Sequence, residues 1–312
     1  MRADDSLPGH SPPRPTQPKS SLPVVIGAGA ALAILVLGAF FGVQKFRAGR
    51  DQQAAAASAS AQEQRNVEVK TDVLKSKVEE RRADFDRMVG AVVRVPGGPF
   101  NMGANEDILN EQPIHKVTVP PFEMDETEVT VAAFQLCVGA GKCSPPAAGP
   151  QCNWAIAERR GHPVNCVTWN QAQDFCAWAA KRLPSEQEWE FAARGTDGRR
   201  FSWGTVEPFS QLCWRRGGAD GGSGEGTCLA GQTPEDASPY FVKDMAGNVR
   251  EWTASSYCPY SRTGCESSTK VIRGGAWPDV DVLGVRAALR NAKAPEYQSD
   301  TVGFRCVRGA LR

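Results

Sequence analysis

The stretch Lys181-Arg-Leu-Pro-Ser-Glu-Gln-Glu-Trp-Glu-Phe-Ala-Ala-Arg-Gly195 carries the clearest fold signal in the sequence. Ser185 followed three residues later by Glu188 is typical of a capping box, in which each side chain accepts a hydrogen bond from the other residue's backbone N–H. The pattern predicts a helix that begins after Ser185, runs to Arg194 and ends at Gly195, because glycine readily terminates helices.

Two further helices are predicted before this one. Asn170–Ala180 places apolar side chains on one face at helical spacing, and Val129-Thr130 begins a helix that runs through Cys137. The strand signals are shorter. His115–Val119 alternates like a half-buried strand, and the turn Pro96-Gly97-Gly98 predicts a hairpin. The sequence therefore predicts an α+β fold with little regular secondary structure, two or three helices on a small, irregular antiparallel core.

The N-terminal third differs in composition from the rest. Residues 23–43 are apolar throughout, and about 20 such residues span a hydrocarbon layer of roughly 30 Å. A cleaved signal peptide with a small-residue site at Ala57-Ser58-Ala59 is the alternative, but the apolar run is longer than such signals carry. Four segments are predicted: a disordered cytoplasmic tail at 1–22, one transmembrane helix at 23–43, a linker (46–66) and stalk helix (67–89) within 44–91, and a globular domain at 92–308.

Charge and cysteine content restrict the partners and the compartment. With 36 basic and 35 acidic residues, the chain has a net charge of +1 and no excess of basic residues for nucleic acid. Ten cysteines all follow the apolar run, an even and dense set that suits an oxidising compartment. The sequence contains no Cys-x-x-Cys pair, so a zinc ribbon is not expected. We therefore expect a single-pass membrane protein, with its N-terminus cytoplasmic and its domain periplasmic or extracellular.

Seven segments of the domain form a signature: Gly97–Gly103, Pro163–Trp169, Lys181–Gly195, Phe201–Gly204, Asp244–Trp252, Val271–Trp277 and Gly303–Cys306. Their order and spacing resemble the formylglycine-generating enzyme, or sulfatase-modifying factor, family, whose fold is related to that of C-type lectins. The resemblance covers residues 92–308, and it implies that the α+β domain has the fold of this family.

The resemblance also implies what the domain lacks. Active enzymes of the family oxidise a cysteine of a target polypeptide with O₂ and copper(I), using two cysteines that follow an Arg-Gly-Gly-Ser-Trp-like motif. Soft thiolates are the ligands that select Cu(I). The corresponding stretch here, Ala276–Arg286, contains no cysteine. We therefore expect neither bound copper nor the copper-dependent activity.

Structural calcium is a second property of the family, and the match places one site in the segment that begins at Asp244. The resemblance implies carboxylate ligands from Asp244 and Glu251 and main-chain carbonyl ligands from Gly247 and Val249. Oxygen ligands at close sequence spacing suit this hard cation. The alternative is a plain turn at Gly247-Asn248, with Glu251 either solvated or paired.

By the same resemblance, Cys176 and Cys306 form a disulfide that ties the central helix to the C-terminus. Ala193 and Ala287 stand where the family has a second pair, and this joint loss supports the alignment. The other eight cysteines group by proximity, but the sequence does not fix their connectivity. The hypothesis is four local pairs: 137/143, 152/166, 213/228 and 258/265.

Two functions remain open. The first is recognition of a protein or peptide partner, with the loops 139–162 and 215–232 as contact surfaces. The second is a divergent family enzyme that performs an oxidoreductase-type maturation of a peptide or small molecule in the periplasm. Its candidate catalytic residues lie in or near the ancestral active-site stretch: Asp279, Asp281, Arg286 and Arg290. Structural pairing with acids or carbonyls is the alternative for the arginines.

Overall fold

The computed structural model describes residues 28–105, 108–215, 225–262 and 264–310. The chain divides into two compact units, residues 1–76 and 77–312. The predicted tail 1–22 lies outside the described residues, as do residues 23–27 of the predicted membrane segment. In the described part of the chain, no helix contains a stretch long and apolar enough to cross a membrane. The transmembrane helix therefore stays a prediction.

Helix α1 extends from Ala28 to Val89. It contains the predicted stalk helix, but it also contains residues 46–66, where the composition predicts a linker. Alanine and glutamine dominate that stretch, and both are strong helix formers. Helical propensity therefore accounts for the difference. The last turns of α1 belong to the second unit, where Phe85 packs edge-on against Trp178.

The second unit is a mixture of short elements. Its further helices are α2 (Val131–Gly139), α3 (Trp169–Trp178) and α4 (Glu186–Arg194). Its strands are β1 (Val92–Val95), β2 (Gly98–Met102), β3 (His115–Val119), β4 (Phe122–Asp125), β5 (Arg250–Ser256), β6 (Lys270–Arg273), β7 (Arg290–Lys293), β8 (Val302–Gly303) and β9 (Val307–Gly309).

These strands form three small sheets, with the orders β1-β4-β9, β2-β3 and β7-β6-β5-β8. All pairs are antiparallel except β5 with β8. Much of the unit between the strands is turns and loops. The prediction of an α+β domain with little regular secondary structure is confirmed.

The predicted hairpin at Pro96-Gly97-Gly98 is wrong. β1 and β2 flank that turn, but β1 pairs with β4 and β2 pairs with β3. Gly97 has a φ of 68°, and a Cβ at this position would lie 2.4 Å from the carbonyl oxygen of Val119. The glycine therefore turns the chain from one sheet into another, close against the end of β3.

The helix ends follow the local sequence signals. In α4, the Ser185 hydroxyl accepts from the N–H of Glu188 at 3.2 Å, and the Glu188 carboxylate accepts from the N–H of Ser185 at 2.8 Å. Gly195 closes the helix with a φ of 64°. The predicted capping box and its helix are confirmed, and α2 and α3 likewise begin after capping threonines.

The four-stranded sheet presents two different faces, because side chains alternate along each strand. One face carries Glu251 of β5, Arg273 of β6 and Arg290 of β7 toward α4. The opposite face carries Trp252 and Ile272, which join the main apolar core with α2 and α3.

Candidate functional site

All ten cysteines are joined in five disulfides. Cys176 of α3 is bonded to Cys306, across a sequence separation of 130 residues, and this is the pair that the resemblance implies. The other four disulfides join the neighbours grouped by proximity, 137/143, 152/166, 213/228 and 258/265. Every thiol of the chain is therefore used in a covalent cross-link.

Asp279 lies in the segment 276–286, which the resemblance matches to the family's catalytic stretch. Arg250 of β5 donates from Nη2 to both of its carboxylate oxygens, at 2.7 Å each. The N–H of Ala276 donates to Oδ2 at 2.8 Å. Asp281 caps the short turn that follows, accepting from the N–H of Leu283 at 3.0 Å. Both aspartates therefore hold the backbone of this segment in place.

The two candidate arginines are buried and paired elsewhere. Arg286 donates to both oxygens of Glu111 at 2.8 Å. Arg290 donates from Nε and Nη2 to the two oxygens of Glu186 in α4, at 2.7 Å each, and its guanidinium lies 4.0 Å from the centre of the Tyr260 ring. The four candidate catalytic residues thus have separate structural partners, and the structure does not bring them together in one site.

The residues predicted to bind calcium have protein partners as well. Glu251 accepts from Arg305 at 2.7 and 2.8 Å and from Trp189 Nε1 at 2.8 Å. Asp244 accepts from the Thr233 hydroxyl at 3.0 Å and from the N–H of Gly231 at 2.5 Å. The carboxylate oxygens are thus engaged by hydrogen-bond donors, which is a poor fit to a cation. Among the described residues, no three or more His, Cys, Asp or Glu side chains are arranged to hold a metal.

Two further acids, Glu128 and Asp236, lie near Asp244, and the sequence analysis did not predict a role for either. Burial raises the pKa of Glu128 well above its ordinary value, and the neighbouring Asp244 carboxylate raises it further. Burial and Asp244 raise the pKa of Asp236 in the same way. Neither oxygen of Glu128 receives a hydrogen bond from the described residues. A protonated Glu128 would donate to Asp244 and would not repel it, which is why the Asp244 carboxylate raises the pKa of Glu128.

A pocket of about 240 Å³ lies on the apolar-core face of the four-stranded sheet, beside the Arg250–Asp279 pair. We call it the sheet-face pocket; its lining residues are Arg250, Ile272, Asn291, Lys293, Tyr297, Thr301 and Val302. Ile272 and Val302 supply an apolar floor, and the other side chains supply polar groups. Sequence reasoning missed this pocket because four strands and the loop after β7 contribute to it.

A second pocket of about 370 Å³ lies on the α4 side of the same sheet. Glu186, Arg290 and Tyr260 line it together with Ser255, Ser256 and Arg262. The first three bond or stack on one another. Of the two predicted contact loops, 139–162 is described, whereas residues 216–224 of the other lie outside the described part of the chain.

Comparisons with known proteins agree with the fold. Residues 77–310 match the family described as the sulfatase-modifying factor enzyme 1-like domain. The inactive C-alpha-formylglycine-generating enzyme 2 of Bos taurus is 32% identical over 275 residues, which cover 71% of this chain and 89% of that protein. The formylglycine-generating enzyme of Mycobacterium tuberculosis is 30% identical over 298 residues, which cover 70% of this chain and 98% of that protein.

Among solved structures, PvdO from Pseudomonas aeruginosa matches with a TM-score of 0.58 at 26% identity, over 70% of this chain and 94% of that one. The family match at 77–310 includes all five disulfides, the Arg250–Asp279 pair and the sheet-face pocket. The match also begins within α1, at the boundary between the two compact units.

Proposed function

The chain belongs to the sulfatase-modifying factor family, and we propose that it is a non-catalytic member whose domain recognises a protein or peptide partner. One observation carries this proposal: every cysteine of the chain is bonded to another cysteine. The family's copper chemistry depends on two thiolates at the catalytic stretch, because thiolates are what hold Cu(I). This chain has none to offer there.

In this chain the segment that matches the family's catalytic stretch is fixed by an ion pair. Asp279 is fixed by two hydrogen bonds from Arg250 and one from the Ala276 N–H. Both oxygens of this carboxylate are therefore engaged in holding the segment in place. The likeness to the inactive enzyme of Bos taurus, at 32% identity, also supports the proposal that this chain is non-catalytic. Recognition is the function that a well-packed domain with a pocket beside this segment supports best.

The domain is proposed to act on the outer side of a membrane, held there by residues 23–43. The apolar run in the sequence and five disulfides within one domain support an exported, anchored protein. The test compares the full chain with a variant that lacks residues 23–43. The full chain is expected to sediment with membranes and resist alkaline extraction. Recovery of both proteins in the soluble fraction would contradict the anchor.

Absence of catalysis has a direct test. The full-length chain, purified in mild detergent, is incubated with Cu(I), O₂ and a Cys-x-Pro-x-Arg peptide, and the peptide is analysed for an aldehyde by mass spectrometry. The enzyme of Mycobacterium tuberculosis serves as the positive control. No aldehyde is expected from this chain. An aldehyde formed at a rate above that of the protein-free mixture would overturn the proposal and favour a divergent enzyme.

A further inference from the structure

We propose that the sheet-face pocket binds a carboxylate group of an extended peptide, with Lys293 and Lys270 as the residues that determine this specificity. The inference rests on the proposed recognition function and names the chemistry of the ligand. The pocket adjoins the segment 276–286 through Arg250, which both lines the pocket and pairs with Asp279. A ligand in the pocket would therefore lie next to the ancestral active-site stretch.

Of the polar side chains that line the pocket, Arg250 and Lys293 only donate hydrogen bonds, whereas Asn291, Tyr297 and Thr301 both donate and accept. Lys293, Asn291 and Tyr297 each present a donor at the pocket. None of these three side chains forms a hydrogen bond with the described residues, whereas Arg250 already donates to Asp279. Donors without acceptors favour an oxygen-rich, anionic ligand. A carboxylate fits this arrangement, because it accepts several hydrogen bonds at once.

Two lysines bring positive charge to this part of the sheet. Lys293 of β7 lines the pocket, and Lys270 of β6 is directly opposite it in the antiparallel register. Like charges at such positions repel. Within the described residues no carboxylate forms an ion pair with either lysine, and Asp279, which lies beside the pocket, is already paired with Arg250. An anion placed between the two lysines would remove this repulsion.

Aromatic rings hold the two lysines in position. The Lys270 ammonium lies 4.3 Å from the centre of the Trp169 ring, and the Lys293 ammonium lies 4.6 Å from the centre of the Tyr297 ring. Such cation–π contacts restrict a long side chain without neutralising its charge. Both ammonium groups are therefore prearranged on the same face of the sheet, which lowers the entropy cost of binding an anion.

An extended peptide is the form of ligand that the topology favours. β7 is an edge strand of the sheet, with β6 on one side and no described strand on the other. Edge strands bind extended peptides through main-chain hydrogen bonds, while pockets at alternate positions select the side chains. The apolar floor of Ile272 and Val302 would accommodate the aliphatic part of a glutamate or aspartate side chain.

The test uses fluorescence anisotropy with the full-length chain in mild detergent. The probe is a fluorescein-labelled peptide that alternates alanine with glutamate, and its control is the same peptide with glutamine at every glutamate. The proteins are the wild type, Lys293→Gln, Lys270→Gln and the control Lys116→Gln, which changes an exposed lysine of β3 outside the pocket and outside the predicted contact loops. Thermal unfolding of each variant confirms that it is folded. Inorganic phosphate is titrated separately as a competitor.

The glutamate peptide is expected to bind the wild type at least tenfold more tightly than the glutamine peptide. Lys293→Gln is expected to weaken binding about tenfold and Lys270→Gln about threefold, with Lys116→Gln unchanged. Equal binding of the two peptides, or equal binding by the Lys293 and Lys116 variants, would overturn the inference. So would phosphate binding to the pocket when neither peptide binds. None of these results depends on the copper assay, so the two proposals fail separately.

Discussion

Arg305 and Glu251 form a buried ion pair in which the guanidinium donates from Nε at 2.8 Å and from Nη2 at 2.7 Å to the two carboxylate oxygens. The pair joins the strand β5 to the C-terminal segment that carries Cys306. Trp189 of α4 donates to the same carboxylate, so three distant parts of the sequence meet there. The side chains are 0% and 1% exposed, so neither charge is compensated by water.

Replacement of Arg305 by methionine is expected to destabilise the domain by about 3–5 kcal/mol, because it leaves the Glu251 carboxylate buried without its partner. The measurement is the urea midpoint at neutral pH, with circular dichroism as the signal. The control is Glu207→Ala, which removes an acid that is 64% exposed in its pair with Arg200 and should cost less than about 1 kcal/mol. Similar losses in the two variants would contradict the role assigned to Arg305.

Removal of calcium tests whether the metal site implied by the resemblance exists, because hydrogen-bond donors already engage its two carboxylates. Because Arg305 and Trp189 engage Glu251, we expect EDTA to leave the melting temperature of the domain unchanged. A structural calcium ion bound at 100 times its dissociation constant would instead contribute about 2.7 kcal/mol, so its loss would lower the melting temperature by about 5–10 °C. Metal analysis of protein purified without chelator gives an independent answer.

If EDTA does lower the melting temperature, the variant Glu128→Gln identifies the ligand. Glu128 is the buried carboxylate beside Asp244 that no described donor satisfies. A calcium ion bound by Asp244 and Glu128 would lose its effect in this variant. A calcium ion bound by the predicted set, which includes Glu251, would keep it. The comparison therefore separates the site implied by the family from one that the structure would place nearby.

The disulfides should differ in what they contribute. In the chain-entropy model, the Cys176–Cys306 bond, with a separation of 130 residues, contributes about 4–5 kcal/mol, and the Cys258–Cys265 bond, with a separation of 7, contributes about 2–3 kcal/mol. The double variants C176A/C306A and C258A/C265A leave no free thiol, so that their urea midpoints compare the two bonds directly. A larger loss of stability in C258A/C265A than in C176A/C306A would show that loop length does not determine which disulfide stabilises the domain more.

Local signals in the sequence were sufficient for the helices but not for the strand pairing. The capping box of Ser185 and Glu188 involves residues three apart, so the sequence alone predicted where α4 begins. The sequence also indicates the turn at Gly97. However, the strands on either side of this turn pair with β4 and β3 rather than with each other, and this pairing depends on the packing of the whole domain.

The candidate site illustrates the same limit. Arg286 and Glu111 are 175 positions apart, and no pattern in the sequence connects them. Glu128 stands in the acidic run Asp125-Glu-Thr-Glu128, which resembles a solvated loop until the fold buries it. The family resemblance supplied the order of the segments and the Cys176–Cys306 pair. It did not supply the sheet-face pocket, because most of the lining residues, from Asn291 to Val302, lie outside the seven matching segments.

Acid should weaken the domain partly through Glu188. Burial alone would raise the pKa of this carboxyl, but hydrogen bonds from Arg182 and from the Ser185 N–H outweigh burial and lower the pKa below its ordinary value of 4.5. A lowered pKa means that the unfolded chain takes up the proton first as the pH falls. The stabilisation that the Glu188 charge gives is therefore fully present above about pH 4.5. It is lost as the pH falls from there through the lower pKa of the folded state.

The variant Glu188→Gln isolates this charge, because glutamine also serves at the third position of a capping box. The difference in urea midpoint between the wild type and Glu188→Gln is expected to be largest at pH 7 and to shrink as the pH falls below 4.5. Asp197→Asn is the control: its pKa is also lowered, by Arg199, but its side chain is 57% exposed, so solvent screens the pair. A difference for Glu188→Gln that stays constant from pH 7 to pH 3 would show that the charge of Glu188 does not stabilise α4.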